Sequence, residues 1–343
     1  MRAGKSHQAW AVDTVLPDAA PDNWVDRHAP EPLRPWLKLA RLDRPTGIWL
    51  LMLPGWQGIA LADAMRGAWP NPWLLGAFLI GAVLMRAAGC AVNDVADKDF
   101  DARVARTAAR PVASGMISRK AALAFALACT AASLAILLFL NLTSFWLAAA
   151  SLPLIAAYPF MKRITWWPQA WLGLTFNWGA LLGYAAVQGG EPLLGRLGLT
   201  VGSSQPLAEP WAPSVLLYAS GVAWTLGYDT IYALQDIEDD ALVGVKSTAR
   251  RLGRHAPAFV LACYLASFVL AAAAGISGGL GPIFPPCLLV MGLILGTQVR
   301  RLGGANPARA LAAFKANTWA GLAVFVAFAL GCLGVNSSFT TPG

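Results

Sequence analysis

The stretch Pro72–Asp101, PWLLGAFLIGAVLMRAAGCAVNDVADKDFD, decides the fold. From Pro72 to Val92 it is apolar apart from one arginine, Arg86. At 1.5 Å per helical residue, about 20 such residues cross the hydrocarbon core of a bilayer. The run then breaks into Asn93-Asp94-Val95-Ala96-Asp97-Lys98-Asp99-Phe100-Asp101. An apolar span that delivers carboxylates at its end is a membrane helix with a polar task, because acids beside a bilayer are costly and need a reason.

Apolar windows of the same kind recur along the chain, at roughly 46–65, 72–93, 119–140, 142–161, 168–188, 213–234, 256–276, 280–299 and 311–334. They predict an all-α membrane protein, a bundle of nine transmembrane helices. Composition agrees: 57% of the 343 residues are hydrophobic and 13% are charged, too few charges for the shell that a soluble domain needs. Cys90, Cys129, Cys263, Cys287 and Cys332 are odd in number and isolated, so neither a disulfide framework nor a C-x-x-C metal site is signalled. Three histidines and no H-E-x-x-H, G-x-S-x-G or Walker lysine pattern leave hydrolase and nucleotide chemistry without its parts.

The charge map predicts orientation. The segments 1–45, 86–120, 162–163, 246–254 and 300–315 hold every Lys and Arg except Arg66 and Arg196. By the positive-inside rule these segments face the cytoplasm, which predicts a multi-pass protein of a bacterial inner membrane with its amino terminus inside. The net charge of +8 therefore speaks for an anionic leaflet and an anionic substrate, not for nucleic acid. Residues 1–37 read as a mobile cytoplasmic extension, 38–335 as the transmembrane domain and 336–343 as a tail. Within 34–45, Trp36, Leu37 and Leu39 alternate with Arg34, Lys38 and Arg41, the pattern of a short interfacial helix. Asn141-Leu-Thr and Asn336-Ser-Ser match the glycosylation pattern, which chance supplies often.

Nine of the 18 acids fall in two windows. In the first, Asn93, Asp97 and Asp101 are spaced i, i+4, i+8; in the second, Tyr228–Asp240, Asp229, Tyr232, Asp236 and Asp240 follow i, i+3, i+7, i+11. Each set lies on one helix face, at the predicted cytoplasmic end of a span. Stacked carboxylates at a helix C-terminus repel one another and the local dipole. Hard oxygens in such numbers suit Mg²⁺, which shares its coordination with substrate phosphates. Bases accompany both windows: Arg86 two turns before Asn93, then Arg103, Arg106 and Arg110, Lys162-Arg163 between them, and Lys246 after the second. Mg²⁺ with Lys/Arg is the combination that holds a diphosphate leaving group.

At these residues the chain resembles the UbiA superfamily of intramembrane prenyltransferases. The first window matches N-D-x-x-D-x-x-x-D through Asn93, Asp94, Asp97 and Asp101; the second matches Y-D-x-x-Y-A-x-x-D-x-x-x-D through Tyr228, Asp229, Tyr232, Ala233, Asp236 and Asp240. The similarity covers roughly 38–334 and includes Arg41-Leu42-Asp43-Arg44-Pro45. Tyr158-Pro159-Phe160-Met161-Lys162-Arg163 and Gly244-Val245-Lys246-Ser247-Thr248 are most like the 4-hydroxybenzoate polyprenyltransferase branch of ubiquinone synthesis.

The resemblance implies a nine-helix bundle whose central cavity is capped by cytoplasmic loops. It implies Mg²⁺ held by Asn93, Asp97, Asp101, Asp236 and Asp240, with polyprenyl diphosphate and 4-hydroxybenzoate as substrates and membrane lipid around them. Arg86, Arg110, Lys162 and Lys246 would neutralise the diphosphate, Arg163 would meet the benzoate carboxylate, Tyr158 and Tyr232 would face the cationic prenyl group, and Asp229 would orient or deprotonate the phenol. Other acceptors (haem, chlorophyllide, homogentisate, dihydroxynaphthoate) define neighbouring activities. A transporter is the reading from another class; it would need ionisable groups near mid-bilayer, whereas these acids sit at one end.

Overall fold

The computed structural model describes residues 23–103, 107–190, 192–196, 210–235, 246–302 and 307–335. Among these, regular structure is helical without a strand, and one isolated antiparallel bridge joins Asn141 and Pro192. The helices are α1 (Trp24–His28), α2 (Arg34–Leu39), α3 (Thr46–Ala64), α4 (Pro72–Ala96), α5 (Lys98–Asp101), α6 (Arg119–Leu137), α7 (Leu142–Ile164), α8 (Pro168–Phe176), α9 (Trp178–Val187), α10 (Leu193–Arg196), α11 (Ala212–Ala233), α12 (Thr248–Leu252), α13 (Ala256–Ser277), α14 (Phe284–Arg301) and α15 (Pro307–Leu330).

The all-α membrane class holds. Every predicted window falls on helix among the described residues. Five helical stretches are long and apolar enough to cross a membrane by length and composition: Pro72–Ala96, Arg119–Leu137, Leu142–Met161, Thr248–Ser277 and Ala308–Leu330. The chain is a multi-pass membrane protein. Only 6% of the apolar window of α7 is covered by protein; Trp146, Leu152 and Ile155 lie open on it, as lipid-facing side chains do.

Two compact units divide the chain. The first comprises 1–47 and 83–131. Here α1 is capped by Asn23, whose side chain accepts from Asp26 N at 3.1 Å. Val25 is fully buried, Lys38 pairs with Asp26 at 2.7 Å, and Trp24 Nε1 donates to Leu42 O at 2.8 Å. Asn23–Leu37, the described part of the expected extension, carries this burial and these polar ties; residues 1–22 lie outside the described residues. The inward side of α4 packs Ala87, Ala88 and Ala91 with Leu39, Val112, Ile117 and Ala122. The expected interfacial helix is α2; after it the chain turns through Arg41 at φ 60°, the one non-glycine residue at positive φ among those described. That conformation is disfavoured for a side chain with a Cβ.

The second unit comprises 48–82 and 132–343. Its core runs from Ile59 and Leu61 of α3 through Tyr184, Trp224, Tyr228 and Tyr264 to Phe284 and Phe328. Backbones approach closely through glycine: a Cβ at Gly58 would collide with the Ala180 carbonyl, and one at Gly183 with the Gly55 carbonyl. Small residues let helices touch where lipid offers no hydrophobic drive to pack. The fifth predicted span is broken at Asn177 into α8 and α9. Asn177 Nδ2 donates to Gly173 O at 2.8 Å and to Thr225 Oγ1 at 2.7 Å, so a side-chain amide replaces part of the helical ladder. Asn141 is also structural: it caps α7 by accepting from Ser144 N at 2.8 Å and donates to Ala185 O at 2.6 Å. Buried and doubly bonded, it is no glycan acceptor; Asn336 lies outside the described residues.

Candidate active site

The first acidic window is where α4 ends. Asp97 leaves the helix (φ −97°, ψ 4°), yet Asp97 N still donates to Asn93 O at 2.9 Å and Asp101 N to Asp97 O at 2.8 Å. The helical path therefore survives the break and carries into α5. The buried acids are Asp94, Asp97 and Asp101, 1%, 3% and 3% exposed, spaced i, i+3, i+7. Asn93, expected in that face, is half-buried at its rim. Asp99 points outward to an exposed pair with Arg119 at 2.7 Å, worth little in water.

Two arginines answer the buried acids. Arg41 Nη2 donates to Asp94 Oδ1 at 2.6 Å, and Arg110 Nη1 donates to Asp101 Oδ2 at 2.8 Å while standing 3.6 Å from Asp94 Oδ1. Thr107 Oγ1 donates to Asp101 O at 2.9 Å and Arg110 N to Thr107 O at 2.9 Å, so the loop after α5 holds Arg110 over the acids. Burial pushes the Asp101 carboxyl up, Arg110 pulls it down, and the charges of Asp94 and Asp97 add to the rise; the net direction is upward. Burial works against the Arg41 charge, but Asp94 beside it outweighs that and holds its pKa up. Asp94 Oδ2 is buried without a hydrogen bond. Nearby in sequence, neither carboxylate oxygen of buried Asp43 has a hydrogen bond, with Arg44 Nε 3.5 Å away. Arg86 lies inside α4 with its guanidinium over the Gly47 backbone, where a Cβ would come within 2.7 Å of Nη2.

The residues of the second window belong to the other unit. Tyr228 is buried in α11, its ring T-shaped to Trp224 at 5.1 Å, and its hydroxyl accepts from Thr225 Oγ1 at 3.1 Å. Asp229 and Tyr232 are half-buried in the last turns of α11, and the Tyr232 ring packs on Phe314 at 4.7 Å. Asp236 and Asp240 lie outside the described residues. Tyr158 is half-buried and Arg163 exposed on α7, whereas the Lys162 side chain lies outside the description. Lys246 Nζ donates to Ile164 O at 3.2 Å, on the final carbonyls of α7, a place that suits a cation. Thr248 Oγ1 and N both donate to Gln169 Oε1, at 2.5 and 3.2 Å, which anchors the start of α12.

Sequence reasoning gave no separate role to Arg41 or Asp94. Their signal was present: a base directly before an apolar span, and an acid sharing the i, i+3, i+7 face of Asp97 and Asp101. The donor chemistry of the first window fits Mg²⁺, being hard carboxylate and amide oxygen with one buried oxygen left unbonded. Among the described residues no three His, Cys, Asp or Glu side chains gather into a closed metal cage.

Comparison with known proteins follows the same residues. Residues 51–322 match the UbiA prenyltransferase family. The chain is 43% identical over 309 residues to the mitochondrial 4-hydroxybenzoate polyprenyltransferase of Bos taurus, covering 90% of this chain and 78% of that one. Among solved structures, the apo UbiA homolog from Aeropyrum pernix K1 superposes with TM-score 0.64 at 26% identity, over 81% of this chain and 96% of that one. The UbiA homolog from Archaeoglobus fulgidus bound to GPP and Mg²⁺ shares the fold, with TM-score 0.55 at 19% identity over 85% and 99%. A helix-end acid cluster, an all-helical membrane fold and these likenesses converge: the chain belongs to the UbiA prenyltransferase family.

Proposed function

We propose that this protein is a 4-hydroxybenzoate polyprenyltransferase of ubiquinone biosynthesis, transferring the prenyl group of a polyprenyl diphosphate to the ring carbon ortho to the phenolic hydroxyl. The reading is carried by 43% identity over 90% of the chain to a protein of that name. The buried, arginine-matched carboxylates at the end of an apolar helix are the structural counterpart. In the reaction the allylic C–O bond breaks, a C–C bond forms, the diphosphate departs with the electron pair and the ring loses a proton.

In this reading Asn93, Asp97 and Asp101, with Asp236 and Asp240 of the second motif, hold Mg²⁺, which when bound supplies charge stabilisation to the leaving diphosphate. Arg110 and Arg86 offer fixed cations to the same anion, and Lys162 and Lys246 add to them. Arg41 is a positioning residue: by pairing with Asp94 it fixes the end of α4 and leaves Asp94 Oδ2 as an acceptor. Tyr232 and Tyr158 present aromatic faces to the electron-poor prenyl carbon. Asp229 orients the phenol or takes its proton, and Arg163 meets the carboxylate of the acceptor. Apolar helices around the site exclude the water that would quench the prenyl cation.

We further place the chain in a bacterial inner membrane with the site and amino terminus on the base-rich, cytoplasmic face. The bovine relative is mitochondrial by name; labelling of cysteines introduced in the outer and inner loops of sealed vesicles distinguishes the two orientations. The domain limits 38–335 for the catalytic bundle follow from the same reading. Membranes offered a panel of acceptors with one polyprenyl diphosphate and Mg²⁺ test the activity. Product from 4-hydroxybenzoate alone supports the assignment; product from homogentisate, dihydroxynaphthoate or haem in its place overturns it.

A further inference from the structure

We propose that Gln169 and Thr248 are positioning residues that aim Lys246 at the diphosphate of the prenyl donor. The inference rests on the reading above that Lys246 meets that anion, and it adds what holds Lys246 in place. Neither residue belongs to an acidic motif, and the two are 79 apart in the sequence.

A lysine is hard to aim. Its ammonium rides on a flexible four-carbon stem, and ordering that stem costs rotamer entropy. It is directed by fixing the backbone beneath it and by giving the ammonium a first partner. Both are present here. Lys246 Nζ donates to Ile164 O at 3.2 Å, at the C-terminus of α7 and one residue after Arg163. An ammonium has three donors; the carbonyl takes one, and an anion can take the others.

Two residues on, the backbone is pinned. Thr248 is fully buried and Gln169 is 4% exposed. Thr248 Oγ1 and N both donate to Gln169 Oε1, at 2.5 and 3.2 Å. That N–H is one of the donors left over at the start of a helix, so a side chain of α8 does for α12 what a local cap would do. Ser247 stands between, extended at φ −144° and ψ 155°, its Oγ accepting from Arg250 N at 3.4 Å. An extended residue next to a pinned Thr248 fixes where the Lys246 stem leaves the backbone.

Contacts on either side run along the same seam. The Arg250 guanidinium lies 5.6 Å from the centre of the Trp166 ring, and the rings of Trp167 and Phe259 are 5.6 Å apart. Ile164, Trp166, Trp167 and Gln169 thus meet Lys246, Arg250, Phe259 and Thr248 respectively. Packing alone could be built from such ring contacts. A buried Gln–Thr pair carries a desolvation cost, and a satisfied buried polar contact specifies one arrangement among many. What it adds is direction: one register of Thr248 against Gln169, and so one place for Lys246.

The test is a double-mutant cycle on the full-length protein in lipid nanodiscs, read as the dissociation constant of geranyl diphosphate with Mg²⁺. Thr248→Val keeps the shape and removes the hydroxyl. It is expected to weaken binding on the order of tenfold, the scale of one charged hydrogen bond. Lys246→Met is expected to weaken it at least as much. Combining the two should add nothing to Lys246→Met, because Thr248 acts through Lys246. Thr248→Ser, which keeps the hydroxyl, should bind as wild type does. Wild-type affinity in Thr248→Val overturns the proposal. So does a double variant weaker than Lys246→Met by the full Thr248→Val factor, since a merely structural loss multiplies in that way. If Thr248→Val does not fold, Gln169→Asn, which withdraws the acceptor by one methylene, enters the same cycle with the same outcomes. Wild type that fails to bind geranyl diphosphate overturns the reading and the positioning role together; binding by wild type with a failed cycle overturns the role alone.

Discussion

A buried polar cluster of the first unit and one of the second, both among the described residues, are built on opposite principles. In the first unit Arg41, Asp94, Asp101 and Arg110 form a charged chain with Asp94 Oδ2 left unbonded. In the second, Trp224, Tyr264, Gln298 and Asn317 form a neutral network: Trp224 Nε1 donates to Asn317 Oδ1 at 2.8 Å, which Tyr264 OH also approaches at 3.2 Å, and Asn317 Nδ2 donates to Gln298 Oε1. Neutral hydrogen bonds join helices at modest desolvation cost, and a charge-free network has no call on a metal or a diphosphate. Buried charges cost far more and are a poor way to gain stability. Where a membrane protein keeps them, with acceptor capacity to spare, the expense points to chemistry.

The contrast breaks first at Asp97. Asp97→Asn keeps the shape and removes the charge; prenyl transfer per mole of folded protein is expected to fall on the order of a hundredfold or more, the usual scale for losing one fixed charge-stabilising group. Turnover within a few-fold of wild type would remove Asp97 from the site. Next is Arg41→Ala, which strands Asp94 beside Arg110 alone. Removing one partner of a buried pair costs about 3–5 kcal/mol, so both thermal stability and transfer should drop, and Asp94→Asn in the same chain should restore stability without restoring transfer.

Asn317→Leu should do the reverse. It deprives Trp224 and Tyr264 of their shared acceptor, a loss of about 1–3 kcal/mol, while transfer per folded molecule stays within a few-fold of wild type. A large loss of turnover in stable Asn317→Leu protein would erase the distinction between the clusters. The smallest effect is expected at Asp43, whose carboxyl is raised by burial against the pull of Arg44 and Arg41. A raised folded-state pKa means that its relative stabilisation is complete below the unfolded-state value and is lost as pH rises through the folded value. Asp43→Asn should therefore stabilise the protein at neutral pH, and the gain should fade as pH falls into the carboxylate range. A gain independent of pH would mean that the charge is not the cause.

The helices were legible because lipid imposes a long apolar period that no loop imitates, and Pro72, Pro168 and Pro213 mark their starts. Asn177 was not legible as a break: its effect depends on Thr225, 48 residues away, and no local pattern encodes a tertiary hydrogen bond. At the site, the periodicity of Asp97 and Asp101 was readable, but the choice between Asn93 and Asp94 as their companion was not. Both fit a helical face, and the pairing of buried Asp94 with Arg41, 53 residues before it, is a tertiary contact that no local pattern encodes. The docking of Asn23–Leu37 was hidden likewise, since Lys38–Asp26 and Trp24–Leu42 look like scattered polar residues until the chain folds back.

The proposed reaction is carbon–carbon bond formation on a phenol at a metal-dependent acid cluster. It is tested most directly with 4-hydroxybenzoate deuterated at both positions ortho to the hydroxyl, given with polyprenyl diphosphate and Mg²⁺ to the purified protein in lipid. The expected result is a prenylated product that has lost one deuterium, formed by wild type, and abolished by EDTA and by Asp97→Asn. A product that keeps both deuterons, or one that forms undiminished under chelation, would contradict it.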